Sequence, residues 1–196
     1  MTTQYSDLQL DALREVANIG SGTAATALSS LVGRSIDLTV PSAAALPIAD
    51  AVDAVGEAER EVISVLLPVA GELEGVVLLV FSPESASMLC ELLGVELDSD
   101  VGLSALGEIG NILGASYLGA LSTMTGIAME PSPPQCASDY LAAIVSSALI
   151  VATQGDLALL LDSELVVEET ECSFSFMFVP SGAGIDGLLA GLGLGG

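Results

Sequence analysis

The chain has 196 residues, of which 52% are hydrophobic, and this is enough to bury a substantial core. It carries 26 Asp and Glu residues against three Arg and no Lys, so its formal net charge at pH 7 is -23. A chain with so few cations has no basic face to contact phosphates, which excludes nucleic acid and an anionic membrane surface as expected partners.

The excess of carboxylates also predicts where the protein works. An acidic surface without Lys is typical of adaptation to concentrated salt, so we expect a halophile, and an acidic protein from a less saline cell is the alternative.

The N-terminal sequence MTTQYSDLQLD lacks the basic and apolar regions of a signal peptide. The charge-free stretch 109–129 contains Asn111 and several Gly, which argues against a membrane span. We therefore expect a soluble, cytoplasmic protein.

The first half of the chain predicts the element order helix, strand, helix, two strands and helix. A capping box at Ser6–Gln9 begins a helix that runs to about Val32 and ends at Gly33. Its apolar face is predicted at three- and four-residue steps, namely at Leu13, Val16, Gly20, Ala24, Ala27 and Leu31. The further elements are a strand at 36–40, a short helix at 46–55, strands at 61–69 and 73–81, and a helix from Pro83 to Gly94.

The second half repeats that order. A long helix follows the acidic link 97–100 and ends near Gly126; then come a strand at 127–129, a helix at 139–151, strands at 157–168 and 172–179, and a Gly-rich helix. The mirrored order predicts an α+β fold in one domain, residues 1–196, that is built from two repeats at about 6–95 and 98–193. A pseudo-twofold axis would relate the repeats.

Two segments at the start of the repeats carry the most informative residues. Residues 11–41 and 104–134 align without gaps and are identical at ten positions, most of them apolar or Gly. Two of the identical pairs carry a carboxylate or an amide, Glu15/Glu108 and Asn18/Asn111, and the chain contains no other Asn. Asp11, Glu15 and Asn18 lie at i, i+4 and i+7, as Ser104, Glu108 and Asn111 do, so each set shares one helix face. We expect these side chains to be exposed.

Missing residue types exclude several chemistries. Without His the chain has no Ser-His-Asp or Cys-His catalytic group, and without Lys it has no Schiff base and no P-loop. Cys90, Cys136 and Cys172 match no zinc spacing, so we expect free thiols and no metal site. A glycosidase pair of carboxylates is disfavoured because aromatic residues are few and nothing indicates a sugar cleft. Carboxylates and amides are the chemistry that is left.

The two segments resemble the signature of the CheC/CheX/FliY phosphatases of bacterial and archaeal chemotaxis. That signature is Asp or Ser, three residues, Glu, two residues, Asn, twenty-two residues and Pro, and both copies fit it, ending at Pro41 and Pro134. Two complete copies are typical of the CheC branch. The resemblance implies one antiparallel sheet shared by the repeats and flanked by helices, with the two long motif helices on one outer face.

The resemblance also implies a substrate, which is the phosphoaspartate of the response regulator CheY. Asn18 and Asn111 would orient the attacking water, and Glu15 and Glu108 would pair with a Lys of CheY. Weaker contacts to the phosphorylated regulator are implied by the motif's first position, which is Asp11 in one copy and Ser104 in the other. Mg²⁺ would be held by CheY, so this chain needs no cofactor of its own. The receptor deamidase CheD is a further expected partner, and the internal pseudo-dimer predicts a monomer.

Two alternatives stay open at the level of sequence. The Glu and Asn residues could simply be solvated on two exposed helix faces, although a repeated motif with the same spacing to Pro argues against this. A non-catalytic adaptor that binds CheD or CheY in chemotaxis signalling would carry the same motifs.

Stability is predicted to depend on salt because 26 carboxylic residues face only three Arg. Repulsion among these carboxylates opposes folding in dilute buffer, and molar salt shortens the Debye length to about 3 Å. Thermal melts between roughly 0.1 and 3 M KCl should therefore show the midpoint rising steeply. A midpoint that stays flat over this range contradicts the halophilic interpretation.

Overall fold

Helices and strands account for most of the computed structural model, which describes residues 5–152, 157–167 and 170–195. The helices are α1 (Asp7–Val32), α2 (Ile48–Val55), α3 (Pro83–Leu92), α4 (Asp100–Thr125), α5 (Leu141–Val151) and α6 (Gly184–Gly191). The strands are β1 (Ile36–Pro47), β2 (Glu61–Gly71), β3 (Gly75–Phe81), β4 (Met129–Pro131), β5 (Gln135–Tyr140), β6 (Leu157–Val167) and β7 (Thr170–Pro180).

The seven strands form one sheet in the order β1-β6-β7-β3-β2-β4, and β5 also pairs with β2. The pairings in the described part of the chain are antiparallel, which confirms the predicted α+β class. Strands β3 and β7, one from each half, pair at the centre. Strand β1 of the first half pairs with β6 of the second, and β4 and β5 of the second half pair with β2 of the first. The order of the sheet is therefore consistent with a pseudo-twofold, and the two halves interlock.

The sheet is covered on both faces, so its central strands are apolar on both sides. In β3, Val77, Leu79 and Phe81 join the larger core beneath α1, α3, α4 and α6. The alternate residues of the same strand, Val76, Leu78 and Val80, join a second core beneath α2 and α5. Both long motif helices therefore lie on the same face of the sheet, as predicted.

Helix α1 has the predicted ends and a slightly different buried face. Ser6 and Gln9 form the capping box, and Gly33 ends the helix with φ 70°, a left-handed conformation that glycine adopts without strain. The buried stripe includes Leu28, whereas Ala27 and Leu31, which were assigned to it, are exposed. After Ala24 the next buried position is Leu28, four residues further on. The periodicity of the sequence does not distinguish this step from a step of three residues to Ala27.

Helices α1 and α4 touch at Gly20. A Cβ added to Gly20 would lie 2.7 Å from Tyr117 Cδ1 and 2.9 Å from the Tyr117 Cα, so only glycine permits this approach. Tyr117 is fully buried, and its hydroxyl lies 3.2 Å from Ser163 Oγ on β6. Its ring packs edge-on against Phe176 with centroids 4.8 Å apart. The helix pair is thereby fixed to the sheet.

Two elements differ substantially from the sequence prediction. The strand predicted at 36–40 continues to Pro47, because residues 42–47 pair with β6. The helix predicted at 139–151 begins only at Leu141, because residues 135–140 pair with β2 as a strand. Pairing with strands distant in the sequence decides both cases, and local propensity cannot report it. The short strand predicted at 127–129 lies at Met129–Pro131.

The predicted end of a strand at Glu168 and the N-terminal residues 1–4 lie outside the described residues. The limits of the two repeats also stay a prediction. Among the helices of the described part, none combines the length and the apolar character that crossing a membrane requires.

The close approach of α1 to α4 predicts opposite effects for two nearby glycines. Gly20→Ala should lower the melting temperature, because overpacking costs about 1–3 kcal/mol and outweighs a gain of up to about 1 kcal/mol in helix propensity. Gly22→Ala is the matched control, since a Cβ there meets nothing within 4 Å, and it should raise the melting temperature. Equal shifts in the two variants would contradict this packing.

Candidate functional site

The first two positions of each motif, Asp or Ser and then Glu, are exposed to solvent on their helices. Asp11 and Glu15 on α1 are exposed, and so are Ser104 and Glu108 on α4. Because the two helices pack together on one face of the sheet, the structure presents both sets of residues on the same side of the molecule. The expectation of exposure is confirmed for these four residues.

Asn18 differs from that expectation. It is half-buried, and its side chain joins α1 to β1. The amide nitrogen donates to the carbonyl oxygens of Arg14 at 3.2 Å and Val40 at 3.3 Å. The amide oxygen accepts the Val40 N–H at 2.9 Å. The prediction of a fully exposed Asn18 is therefore wrong, because its amide completes the backbone hydrogen bonding of a residue in the adjacent strand.

Asn111 is also half-buried, so the predicted full exposure is wrong here too. Its side chain has no hydrogen-bond partner among the residues that the structure describes, whereas Asn18 has three hydrogen bonds. For the bond to the amide oxygen, the reason is visible in the sequence. Asn18 and Val40 are 22 residues apart, and the residue at the same distance from Asn111 is Pro133. Proline has no N–H to donate.

The chain beside the second motif is shaped by the same prolines. Strands β4 and β5 correspond in position to the two ends of β1, but residues 132–134 between them are not strand. Pro134 nevertheless runs close to α4, because a Cβ added to Gly107 would lie 3.7 Å from its Cγ. The segment that contains Pro133 therefore passes one helical turn from Asn111. Sequence reasoning missed this contrast, although the Val-Pro and Pro-Pro pairs that end the two motifs could have revealed it.

The two motifs also differ in local charge. Arg14 pairs with Asp11 at 3.0 Å on α1, and the position equivalent to Arg14 in the second motif is Gly107. Both partners are exposed or nearly so, and such a pair contributes only about 0–1 kcal/mol to stability. Its effect is mainly on the local field, since a cation next to Glu15 would repel a cation of a docking protein. Glu108 has no Arg at the equivalent place.

A shallow groove runs between the two motif helices. Its volume is about 420 Å³, and its lining consists of Ile19, Thr23, Ala115, Ser116, Gly119, Ala120, Thr123 and Met124. Ile19, which directly follows Asn18, is 49% exposed, and Met124 is 47% exposed. The groove therefore offers a mildly apolar surface beside the polar motif residues.

No group of three or more His, Cys, Asp or Glu side chains could hold a metal ion within the described residues. Cys90, Cys136 and Cys172 are free. Burial raises the pKa of the Cys172 thiol to about 12, and it raises the pKa of Cys90 and Cys136 as well. Thiols with raised pKa values are poor nucleophiles, so the chemistry of the site falls to carboxylates and amides.

Comparison with known proteins identifies the two motif segments. The model of the CheC-like family matches residues 8–44 and 101–136. The CheY-P phosphatase CheC of Bacillus subtilis is 36% identical over 166 residues, which cover 80% of this chain and 79% of that protein. The chain belongs to the CheC-like family. The resemblance drawn from the two motifs is confirmed.

Two further matches agree with this assignment. The flagellar motor switch phosphatase FliY of Bacillus subtilis is 30% identical over 137 residues, but these make up 66% of this CheC-like chain and only 35% of FliY. The crystal structure of Thermotoga maritima FliY superposes with a TM-score of 0.79, covering 97% of this chain and 98% of that one at 22% identity. At this identity the match shows a common fold.

The two Asn residues are predicted to differ in their effect on stability. Asn18→Ala leaves the N–H of the buried residue Val40 without its acceptor, which should cost about 1–3 kcal/mol. Asn111→Ala removes no hydrogen bond of this kind and should change stability by no more than about 0.5 kcal/mol. Urea unfolding of both variants in molar KCl measures the difference. Equal destabilisation would contradict the role of Asn18 described here.

Proposed function

We propose that this CheC-like chain hydrolyses the phosphoaspartate of the chemotaxis response regulator CheY through its Glu and Asn pairs. The observation that carries the proposal is the presence of two complete motifs on packed helices, with both glutamates exposed on one side of the molecule. The relationship to the CheY-P phosphatase CheC of Bacillus subtilis supports the choice of substrate.

The amide has a simple chemical task in this reaction. A water molecule attacks phosphorus in line, its oxygen forms the new P–O bond, and the bond to the aspartyl oxygen breaks. The products are inorganic phosphate and a free Asp of CheY. The Asn side chain positions the water by accepting a hydrogen bond from it, and such positioning is the main contribution that a protein makes to phosphoryl transfer.

The glutamates anchor the partner. Glu15 and Glu108 are exposed carboxylates that would pair with a Lys of CheY, and at about 4 Å with an effective dielectric near 20 such a pair gains on the order of 4 kcal/mol before desolvation. Asp11 and Ser104 would make weaker contacts. Asp11 is already paired with Arg14, which reduces what it offers to a partner.

The remaining parts of the proposal concern the surroundings of the reaction. Mg²⁺ would be held by carboxylates of CheY, so hydrolysis would require the ion although the described residues of this chain contain no ligand set for it. The chain would act in the cytoplasm as a monomer of one domain, with its two repeats in place of two subunits. CheD is proposed as a second partner that modulates the phosphatase.

The function predicts the kinetics of a double variant. Asn18→Ala/Asn111→Ala should let phosphorylated CheY decay at its own rate, since loss of a water-positioning contact is expected to slow hydrolysis by roughly 10²–10³-fold. Single-turnover decay in molar KCl with Mg²⁺ is the measurement. Glu15→Ala/Glu108→Ala should weaken docking as well as turnover, and Glu91→Ala, an exposed carboxylate on α3, is the matched control.

Two outcomes would contradict the proposal. A folded double-Asn variant that accelerates decay like the wild type would exclude the amide mechanism. A wild-type chain that has no effect on decay, with or without CheD, would leave an adaptor role in place of the phosphatase.

A further inference from the structure

We infer that the two motifs are unequal: Asn111 carries most of the hydrolysis and Pro133 positions it, while Val40 holds Asn18 in a structural role. This inference rests on the proposed function, because it divides that function between the two motifs. Its basis is the contrast between the hydrogen bonds of the two amides.

Asn18 cannot position a water without giving up its present partners. Its amide oxygen accepts the Val40 N–H at 2.9 Å, and its nitrogen donates to two carbonyl oxygens. Rotation of the side chain toward a docked regulator would break all of these bonds and leave the N–H of a residue that is 2% exposed without an acceptor. In the first motif, the rotated conformation of Asn18 that could position a water is therefore disfavoured.

The N–H of Val40 is available for this bond because the pairing of β1 with β6 is irregular at this point. In the β1–β6 ladder Thr39 pairs with Glu164, and the next pair is Ser42 with Asp162. Val40 and Pro41 are thus skipped by the pairing, which leaves the Val40 N–H to the Asn18 amide. A proline at position 40 would remove this one donor without removing a ladder hydrogen bond.

Pro133 prevents the equivalent bond in the second motif. It occupies the position of Val40, it has no N–H, and Pro134 next to it lies close to Gly107, one turn before Asn111. Within the part of the chain that the structure describes, the amide oxygen of Asn111 therefore has no donor, at a half-buried position on α4. The local charges also favour docking of a cationic group at the second motif. Arg14 precedes Glu15 in the sequence, whereas Gly107 precedes Glu108.

The kinetic test compares Ala variants of the two Asn residues. It then adds a backbone N–H at position 133 or removes the one at position 40. Asn111→Ala should slow the decay of phosphorylated CheY at least about 10-fold more than Asn18→Ala does. Pro133→Ala restores an N–H beside Asn111, and it should lower the rate at saturating CheY at least about 3-fold while the half-saturating concentration changes less than about 2-fold. A change confined to the half-saturating concentration would contradict a positioning role.

The reverse substitution, which removes the N–H at position 40, tests for a gain in the rate of hydrolysis. In the Asn111→Ala background, Val40→Pro should free the amide oxygen of Asn18 for a water and raise the remaining rate at least about 3-fold. Val40→Ala is the matched control, since it shortens the buried side chain but keeps the N–H, and it should produce no gain. A Val40→Pro variant that folds and shows no gain would overturn the assignment of Val40.

A structural readout keeps the test independent of activity. The chain contains only two Asn, so labelling Asn with ¹⁵N gives two side-chain amide signals. The side-chain amide shifts of Asn18 should change in Val40→Pro, where the amide oxygen loses its donor. Those of Asn111 should change in Pro133→Ala, where the amide oxygen gains a donor. If Pro133→Ala changes neither the Asn111 amide nor the rate, the role assigned to Pro133 is wrong.

A thermodynamic cycle separates Pro133 from general effects on folding. If Pro133 acts through Asn111, Pro133→Ala should have no further effect on the rate once Asn111 is Ala. Additive losses would mean that Pro133 acts elsewhere. Failure of the inference also differs from failure of the proposed function: equal losses in the two single Asn variants would overturn the inequality, whereas an active double variant would overturn the function itself.

Discussion

The contact between α1 and α4 is the constraint on which the site depends. Gly20 lets the backbone of α1 approach Tyr117, and Tyr117 is in turn held by Ser163 and Phe176 in the sheet. This one approach fixes two 26-residue helices side by side on the same face. The stripes of Glu and Asn therefore lie on one side of the molecule, and the residues between the helices form the groove beside them.

The two repeats place the Asn of the same motif in different hydrogen-bonding surroundings. In the first, the Asn18 amide completes the hydrogen bonding of Val40, where β1 is irregular, and thereby joins strand to helix. In the second, Pro133 removes the donor, the strand is interrupted, and the Asn111 amide stays free of such a bond within the described residues. The proposed division would keep one copy for structure and one for chemistry, and a single residue, one position before the shared proline, would decide which.

Much of this arrangement could be predicted from the sequence. The capping box, the glycine that ends α1 and the alternation in the strands reflect local rules, and the repeated Glu-x-x-Asn spacing indicated the function. The burial of Asn18 and the strand at Gln135–Tyr140 could not be predicted in the same way, because both depend on residues far away in the chain. Periodicity places a residue on a helix face, but it does not show which neighbouring backbone passes that face.

The most direct test of the docking face uses photo-crosslinking from exposed apolar positions. A benzoylphenylalanine at Ile19 or Leu103, on the motif helices, should crosslink to CheY carrying beryllofluoride and Mg²⁺ in molar KCl, and crosslinking should require the beryllofluoride. The same probe at Ile150 on α5, which packs on the opposite face of the sheet and is 82% exposed, should not crosslink. Crosslinks from Ile150 together with none from the motif helices would contradict the account.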